Sequence, residues 1–134
     1  MEIYTLHKEI TLYGKQVTTF PTGIKEAFDE LIAIVPDGME RSHFGLSYME
    51  GEKVIYHAAS EEKFPGEAKQ LNYREYVVEK GNYLSVTIKD WMQKINAIKE
   101  VFHELMQDER ADLSKWCVEW YKSDEEMMCM VRVK

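Results

Sequence analysis

One acid stands out by its neighbours. Glu119 lies in Trp116-Cys117-Val118-Glu119-Trp120-Tyr121, flanked by aromatic and thiol side chains rather than by other charges. A carboxylate in such surroundings is costly to ionise, so it either takes up a proton or waits for a cation. Aromatic rings around it add cation–π attraction, each worth roughly 0.5–2 kcal/mol depending on desolvation. Strand alternation sorts the segment into two faces, Trp116, Val118 and Trp120 on one, Cys117, Glu119 and Tyr121 on the other. The first set is expected to be the helix-covered core. The second is expected to line a pocket, with Cys129 or Met130 beside Glu119 across a hairpin. Met127, Met128 and Met130 are placed to re-pack around ligands of different shape. The same pattern also fits an exposed carboxylate on an open sheet face.

Other chemistry is poorly supported. His7, His43, His57 and His103 show no metal spacing, and His103-Glu104 begins a zincin-like pair without its second histidine. No metal or other cofactor is expected. Neither a glycine-rich phosphate loop nor a nucleophile elbow is present. Cys117 has no adjacent base and reads as a packed thiol. Against 24 acidic residues stand 17 scattered Lys and Arg, giving a net charge of −7. That balance argues against direct contact with nucleic acid and leans weakly toward cationic ligands.

These side chains need elements to position them. Ile24, Ala27, Phe28, Leu31, Ile32 and Val35 follow a helical period that Pro36 and Gly38 stop. Trp91, Ile95, Ile98, Phe102 and Leu105 form a second stripe, widened by Met92, Val101 and Met106. Asp90 is its expected N-cap, with Gln93 completing a capping box. Thr11–Phe20 and Tyr76–Ile88 read as strands. Phe44–Met49 and Lys53–Ala59 flank the turn Glu50-Gly51-Glu52. Trp116–Lys122 and Met127–Val133 flank Ser123-Asp124-Glu125, and Ser60–Asn72 reads as a connecting loop. That second turn sets Cys117 opposite about 131 and Cys129 opposite about 119, so the cysteines are offset and expected to be free thiols.

The order is therefore strand, helix, hairpin, loop, strand, helix, hairpin. Setting Gly14 against Gly81 places Ile24 on Trp91, Phe28 on Ile95, Leu31 on Ile98 and Val35 on Phe102, without a gap. Any two amphipathic helices can be slid into register, but matching hairpins at matching distances favour a true repeat. The expected fold is α+β: duplicated β-α-β-β units forming an antiparallel sheet with two helices and a central groove. All 134 residues are expected to form one domain, with units at about 8–59 and 73–134 joined by a linker at 60–72. No stretch is apolar enough to span a bilayer, and Met1–Lys8 lacks a secretory pattern, so a cytoplasmic location is expected.

Gly81-Asn82-Tyr83 opening a strand, a helix led by Trp91, and Val118-Glu119-Trp120-Tyr121 before a terminal hairpin resemble the gyrase-inhibitor-like, or bacterial effector-binding, domain. Phe44-Gly45-Leu46-Ser47-Tyr48 and Val54-Ile55-Tyr56-His57-Ala58-Ala59 are similar to that family's first half. The resemblance covers nearly the whole chain. It implies a groove for small, often amphipathic or cationic molecules, with an acid at the Glu119 position as polar anchor. Some relatives are fused to DNA-binding helices and sense drugs, and others open strained cyclopropane rings. No room remains here before the first strand for a helix-turn-helix, so the chain is expected to have no DNA-binding module of its own.

Three functions follow as expectations. The first is a non-catalytic binder whose ligand site uses Glu119, Tyr121, Phe44, Tyr48, Tyr83 and Trp91. The second is a hydrolase in which Glu119 activates water, with Tyr121 or Tyr83 as proton donor. The third is a protein-interaction module working through a strand edge or the groove. The oligomeric state is not readable from the residues.

Overall fold

The computed structural model describes residues 1–38 and 40–134. In chain order its elements are β1 (Glu2–Leu6), β2 (Ile10–Gln16), α1 (Ile24–Ile34), β3 (His43–Glu50), β4 (Lys53–Glu61), α2 (Glu67–Gln70), β5 (Arg74–Val78), β6 (Gly81–Lys89), a 3-10 turn (Trp91–Gln93), α3 (Ile95–Gln107), β7 (Cys117–Tyr121) and β8 (Glu126–Arg132). The fold is α+β, with every strand pairing antiparallel.

Local sequence explains much of this. In α1, Ala27 and Leu31 are buried four residues apart, and the helix stops at extended Val35, the residue before Pro36. Gly51, at φ 65°, supplies the left-handed corner of the tight β3–β4 turn. The second helix begins later than the stripe suggests. Asp90 stands in the left-handed region and caps nothing with its side chain. Its backbone N–H is held by the Glu125 carbonyl at 2.5 Å, so the chain turns once at 91–93 before α3 starts. The capping box is therefore not formed.

Three further features depart from expectation. The N-terminal residues form β1, the long strand expected at 76–88 breaks into β5 and β6, and the 60–72 loop contains one helical turn, α2. The break falls at Glu79-Lys80, before Gly81 at φ 135°.

The sheet order is β1-β6-β8-β7-β3-β4-β2-β5. Two β-α-β-β units, β2-α1-β3-β4 and β6-α3-β7-β8, thus meet at the β3–β7 ladder. Each unit's first strand is extended by a strand from the other half of the chain, β5 on β2 and β1 on β6. In a flat sheet β5 would lie roughly 20 Å from β7, four strands away. Yet Tyr76 on edge strand β5 meets Trp116, at the start of β7, with ring centroids 5.8 Å apart. The sheet is therefore curled into a half-barrel. Its inner face forms one cluster with residues from every strand, among them Leu12, Phe44, Leu46, Val118 and Met130. The outer face carries the helices, α1 on β4 and α3 on β8 and β6.

No described helix is long and apolar enough to cross a membrane. The β7–β8 register sets Cys117 against Val131 and Glu119 against Cys129, as the hairpin reading required. Both thiols are free and buried.

Candidate functional site

The alternation of β7 separates the two sets of side chains, but it does not say which face the helices take. They take the face of Cys117, Glu119 and Tyr121. Cys117 and Tyr121 pack in the cluster under α3, whereas Trp116, Val118 and Trp120 line the inside of the curl. The expected assignment is thus reversed. Both faces of this sheet are buried, one by helices and one by curvature, so apolarity alone cannot tell them apart.

Because β7 sits at the middle of the sheet, Glu119 lies between the two helices. Its cross-strand neighbours are Gly45 on β3 and Cys129 on β8. The hydroxyls of Tyr56 and Tyr121 each donate to Glu119 Oε1 at 2.7 Å. Tyr56 comes from β4 and must reach across β3 to do so. Gly45 makes that possible, since a Cβ there would fall on the Tyr56 hydroxyl and on Oε1. Oε2 takes no hydrogen bond among the described residues and is not one of the enclosed unpartnered oxygens. Glu119 as a whole is half-buried. Oε2 therefore keeps some accessible surface, while Oε1 is fully engaged.

Rings wall this floor. Tyr121 meets Phe28 of α1 edge-on at 5.5 Å and Trp91 at 4.9 Å, joining the two sides of the groove. Phe20 stacks on Tyr56 at 5.0 Å. The Trp91 indole N–H donates to the Ser123 carbonyl, which fixes that ring against the β7–β8 turn. At the groove's end Met92 is 54% and Ile95 62% exposed, so the first turn of the α3 stripe is rim rather than core.

Burial pushes the Glu119 carboxyl above the usual range, and the two phenol donors pull it part of the way back. Burial, and then the Glu119 charge, hold both phenols well above the usual tyrosine value. The same two causes raise Cys117 to about 11 and Cys129 to about 12. The site is thus a protonatable oxygen pair with neutral donors around it. Among the described residues no three metal-ligating side chains converge.

Of the six residues expected at the site, Glu119, Tyr121 and Trp91 come together. Phe44, Tyr48 and Tyr83 do not. Phe44 pairs with Trp120, and Leu46 with Val118, so they share the inner face. Tyr48 packs on Trp116, and Tyr83 lies in the inner cluster with its hydroxyl donated to the Glu79 carbonyl. The β3 position facing Glu119 is Gly45, and a one-residue change of register exchanges the faces. Of the three methionines, only Met127 shares the face of Glu119. Tyr56, Phe28, Phe20 and Gly45 join the site without having been singled out. A glycine inside an apolar strand was the available signal, because it marks close approach by another group.

A second buried polar centre lies in the first half. Arg41 bonds Glu67 and the Tyr13 hydroxyl, each at 2.7 Å, and pins α2 to β2. Two cavities also lie away from Glu119. One of about 20 Å³ sits beside Tyr83, Trp116 and Arg132, and one of about 570 Å³ sits beside β2 and β5.

No protein-family model matches the sequence, and no curated protein is significantly similar to it. Solved structures do match. An integron cassette protein from the mobile metagenome of Vibrio cholerae has a TM-score of 0.72 at 14% identity, covering 99% of this chain and 95% of that one. The C-terminal domain of EcmrR has a TM-score of 0.64 at 14% identity, covering 99% and 96%. A Staphylococcus aureus MU50 protein described in terms of bacterial transcription regulation has a TM-score of 0.58 at 14% identity, covering 99% and 97%. The chain therefore shares its fold, over nearly its whole length, with the C-terminal domain of EcmrR and with these two proteins, in agreement with the effector-binding-domain fold that its motifs resemble.

Proposed function

We propose that this chain binds a small amphipathic or cationic molecule in the groove between α1 and α3, with Glu119 as its polar anchor. The observation that carries the reading is the state of the two carboxylate oxygens. Oε1 is saturated by two phenols, while Oε2 has no partner among the described residues and is not fully enclosed. A buried carboxyl whose ionisation is resisted gains most from a cation placed against it, because the ion pair supplies what water cannot. Tyr121, Phe28 and Trp91 offer ring faces to the same cation. Met92 and Ile95 offer an apolar rim for the rest of the molecule. A reducing cytoplasm suits the two free thiols beside the site.

Titrating tryptophan fluorescence with a panel of cationic aromatic dyes tests this. Saturable quenching is expected, weakened at least about tenfold by Glu119→Gln. Equal binding by the variant removes Glu119 as anchor, and no binding by either protein removes the proposal.

A second reading uses the same geometry for chemistry. A carboxyl raised above its usual range, with the phenols of Tyr56 and Tyr121 beside it, is suited to take a proton from water and return one to a leaving group. Incubation with ring-strained electrophiles, followed by mass spectrometry, decides it. Hydrolysis lost in Glu119→Gln supports turnover, and hydrolysis unchanged in that variant excludes this mechanism.

A further inference from the structure

A third polar centre opens to solvent away from Glu119, where β5 leaves β2. Gly14 and Arg74 form the last rung of that ladder, and the cavity of about 570 Å³ lies beside it. Its lining contains a buried imidazole. His57 is 2% exposed, and its Nδ1 lies 2.7 Å from the Tyr76 hydroxyl. Nε2 has no partner among the described residues, and it is not one of the enclosed unpartnered atoms. The small exposed part of this ring therefore includes Nε2, and the ring lines the cavity. Buried ring nitrogens are normally satisfied, so one left open is placed to meet something that occupies the space.

The tautomer follows from the neighbours. Burial, reinforced by the Arg74 charge, holds His57 below the usual histidine range, so the ring is neutral at neutral pH. Burial also keeps the proton on Tyr76. That hydroxyl has no other acceptor among the described residues, which favours donation to Nδ1 over acceptance from it. In that tautomer Nε2 carries the ring proton and is a donor toward the cavity.

Arg74 adds the charge. Its guanidinium carbon sits 5.0 Å from the centroid of the same Tyr76 ring, and no carboxylate among the described residues pairs with it. The other charges of the lining, Lys15 and Glu30, are joined at 2.6 Å and cancel one another. The net charge facing the cavity is that of one arginine. Ile34, 48% exposed, and Leu71 supply apolar wall.

We propose that this cavity is a second ligand site, selective for a monocarboxylate with an apolar or aromatic body. Arg74 forks onto the carboxylate, and His57 Nε2–H supplies a further donor. A dianion would bring more charge than one arginine balances. The inner-face position of His57, Tyr76 and Arg74 makes the site independent of Glu119.

Benzoate titrated into ¹⁵N-labelled protein is the test, with benzamide and inorganic phosphate as comparison probes. Saturable shifts of the His57 and Arg74 side-chain nitrogens are expected with benzoate, at a dissociation constant of about 1 mM or below. Benzamide should leave both unmoved, and phosphate should bind more weakly than benzoate. Arg74→Gln alters an exposed side chain, and circular dichroism verifies its fold. It should weaken benzoate at least about tenfold, while Glu119→Gln binds it normally. The proposal is overturned if benzoate gives no saturable shift, if Arg74→Gln binds it like the wild type, or if benzamide or phosphate binds as well.

Discussion

Tyr56→Phe removes one hydroxyl from the Glu119 floor and leaves the rest of the side chain, including its stacking on Phe20 at 5.0 Å. The lost contact is a 2.7 Å bond to Glu119 Oε1. A hydrogen bond to a charged group is worth roughly 1.5–3 kcal/mol net, and a neutral one about 0.5–1.5. Tyr121 still donates to the same oxygen, so the expected loss at pH 8 is at the lower end, about 1.5–2 kcal/mol. In a Glu119→Gln background the bond is neutral, and the loss should shrink by about 1 kcal/mol. The pH dependence has a definite sign. Below the ordinary glutamate range both the folded and the unfolded chain hold the Glu119 proton. As pH rises from that range, the unfolded chain releases it first, because burial holds the folded value up. Stability contributed by this group therefore falls until pH passes the folded value. Removing a donor pushes that value up further, so the variant should lose more stability at high pH than at low pH. Urea unfolding at pH 4 and pH 8, in both backgrounds, measures all three quantities. A loss below about 0.5 kcal/mol at both pH values, or an equal loss in both backgrounds, would refute an ionisable carboxylate held by this phenol.

Gly45→Ala should destabilise the fold by about 1–3 kcal/mol despite the usual gain of replacing a strand glycine, because the new methyl displaces Glu119 or Tyr56. Denaturation showing a neutral or stabilised variant would mean that the Glu119 contact is not formed. Glu67→Ala strands buried Arg41, and chemical unfolding should register a cost of about 3–5 kcal/mol. Burial opposes the Glu67 charge, but the bonds from Arg41 and the Lys63 N–H, with the Arg41 charge, hold the carboxyl below its usual range. Its contribution should thus be full above the ordinary glutamate range and lost as pH falls through the lowered value, a dependence absent from Glu67→Ala. Cys117 and Cys129, raised to about 11 and about 12, should resist a thiol reagent at pH 8 until denaturant is added. Prompt reaction of the folded protein would show that the floor of the groove is open beneath Glu119.

Periodicity and turn chemistry are local properties, and what depends on them is legible in the residues. The α1 stripe, the Gly51 turn and the Cys129–Glu119 register all follow from neighbours a few positions apart. The repeated strand, helix, hairpin order follows from the same signals, and with it the α+β class. Other features depend on partners far along the chain. β1 has little apolar alternation of its own and is a strand because β6, some eighty residues away, accepts it at Tyr4↔Tyr83. Asp90 has the residue type of a cap, but the Glu125 carbonyl holds its backbone elsewhere.

The site divides along the same line. Composition marks Glu119 as an acid in the wrong company, and alternation puts Cys117 and Tyr121 beside it. Neither says which face the helices cover, because a curled sheet buries both. Nor does either reveal that Tyr56 crosses over Gly45 to reach the carboxylate, which takes three strands in register. The sequence by itself therefore determined which acid stands among apolar neighbours and which of those neighbours share its strand face. The tertiary structure alone decided which groove that residue looks into, since curvature and long-range pairing belong to the whole sheet and to no single strand.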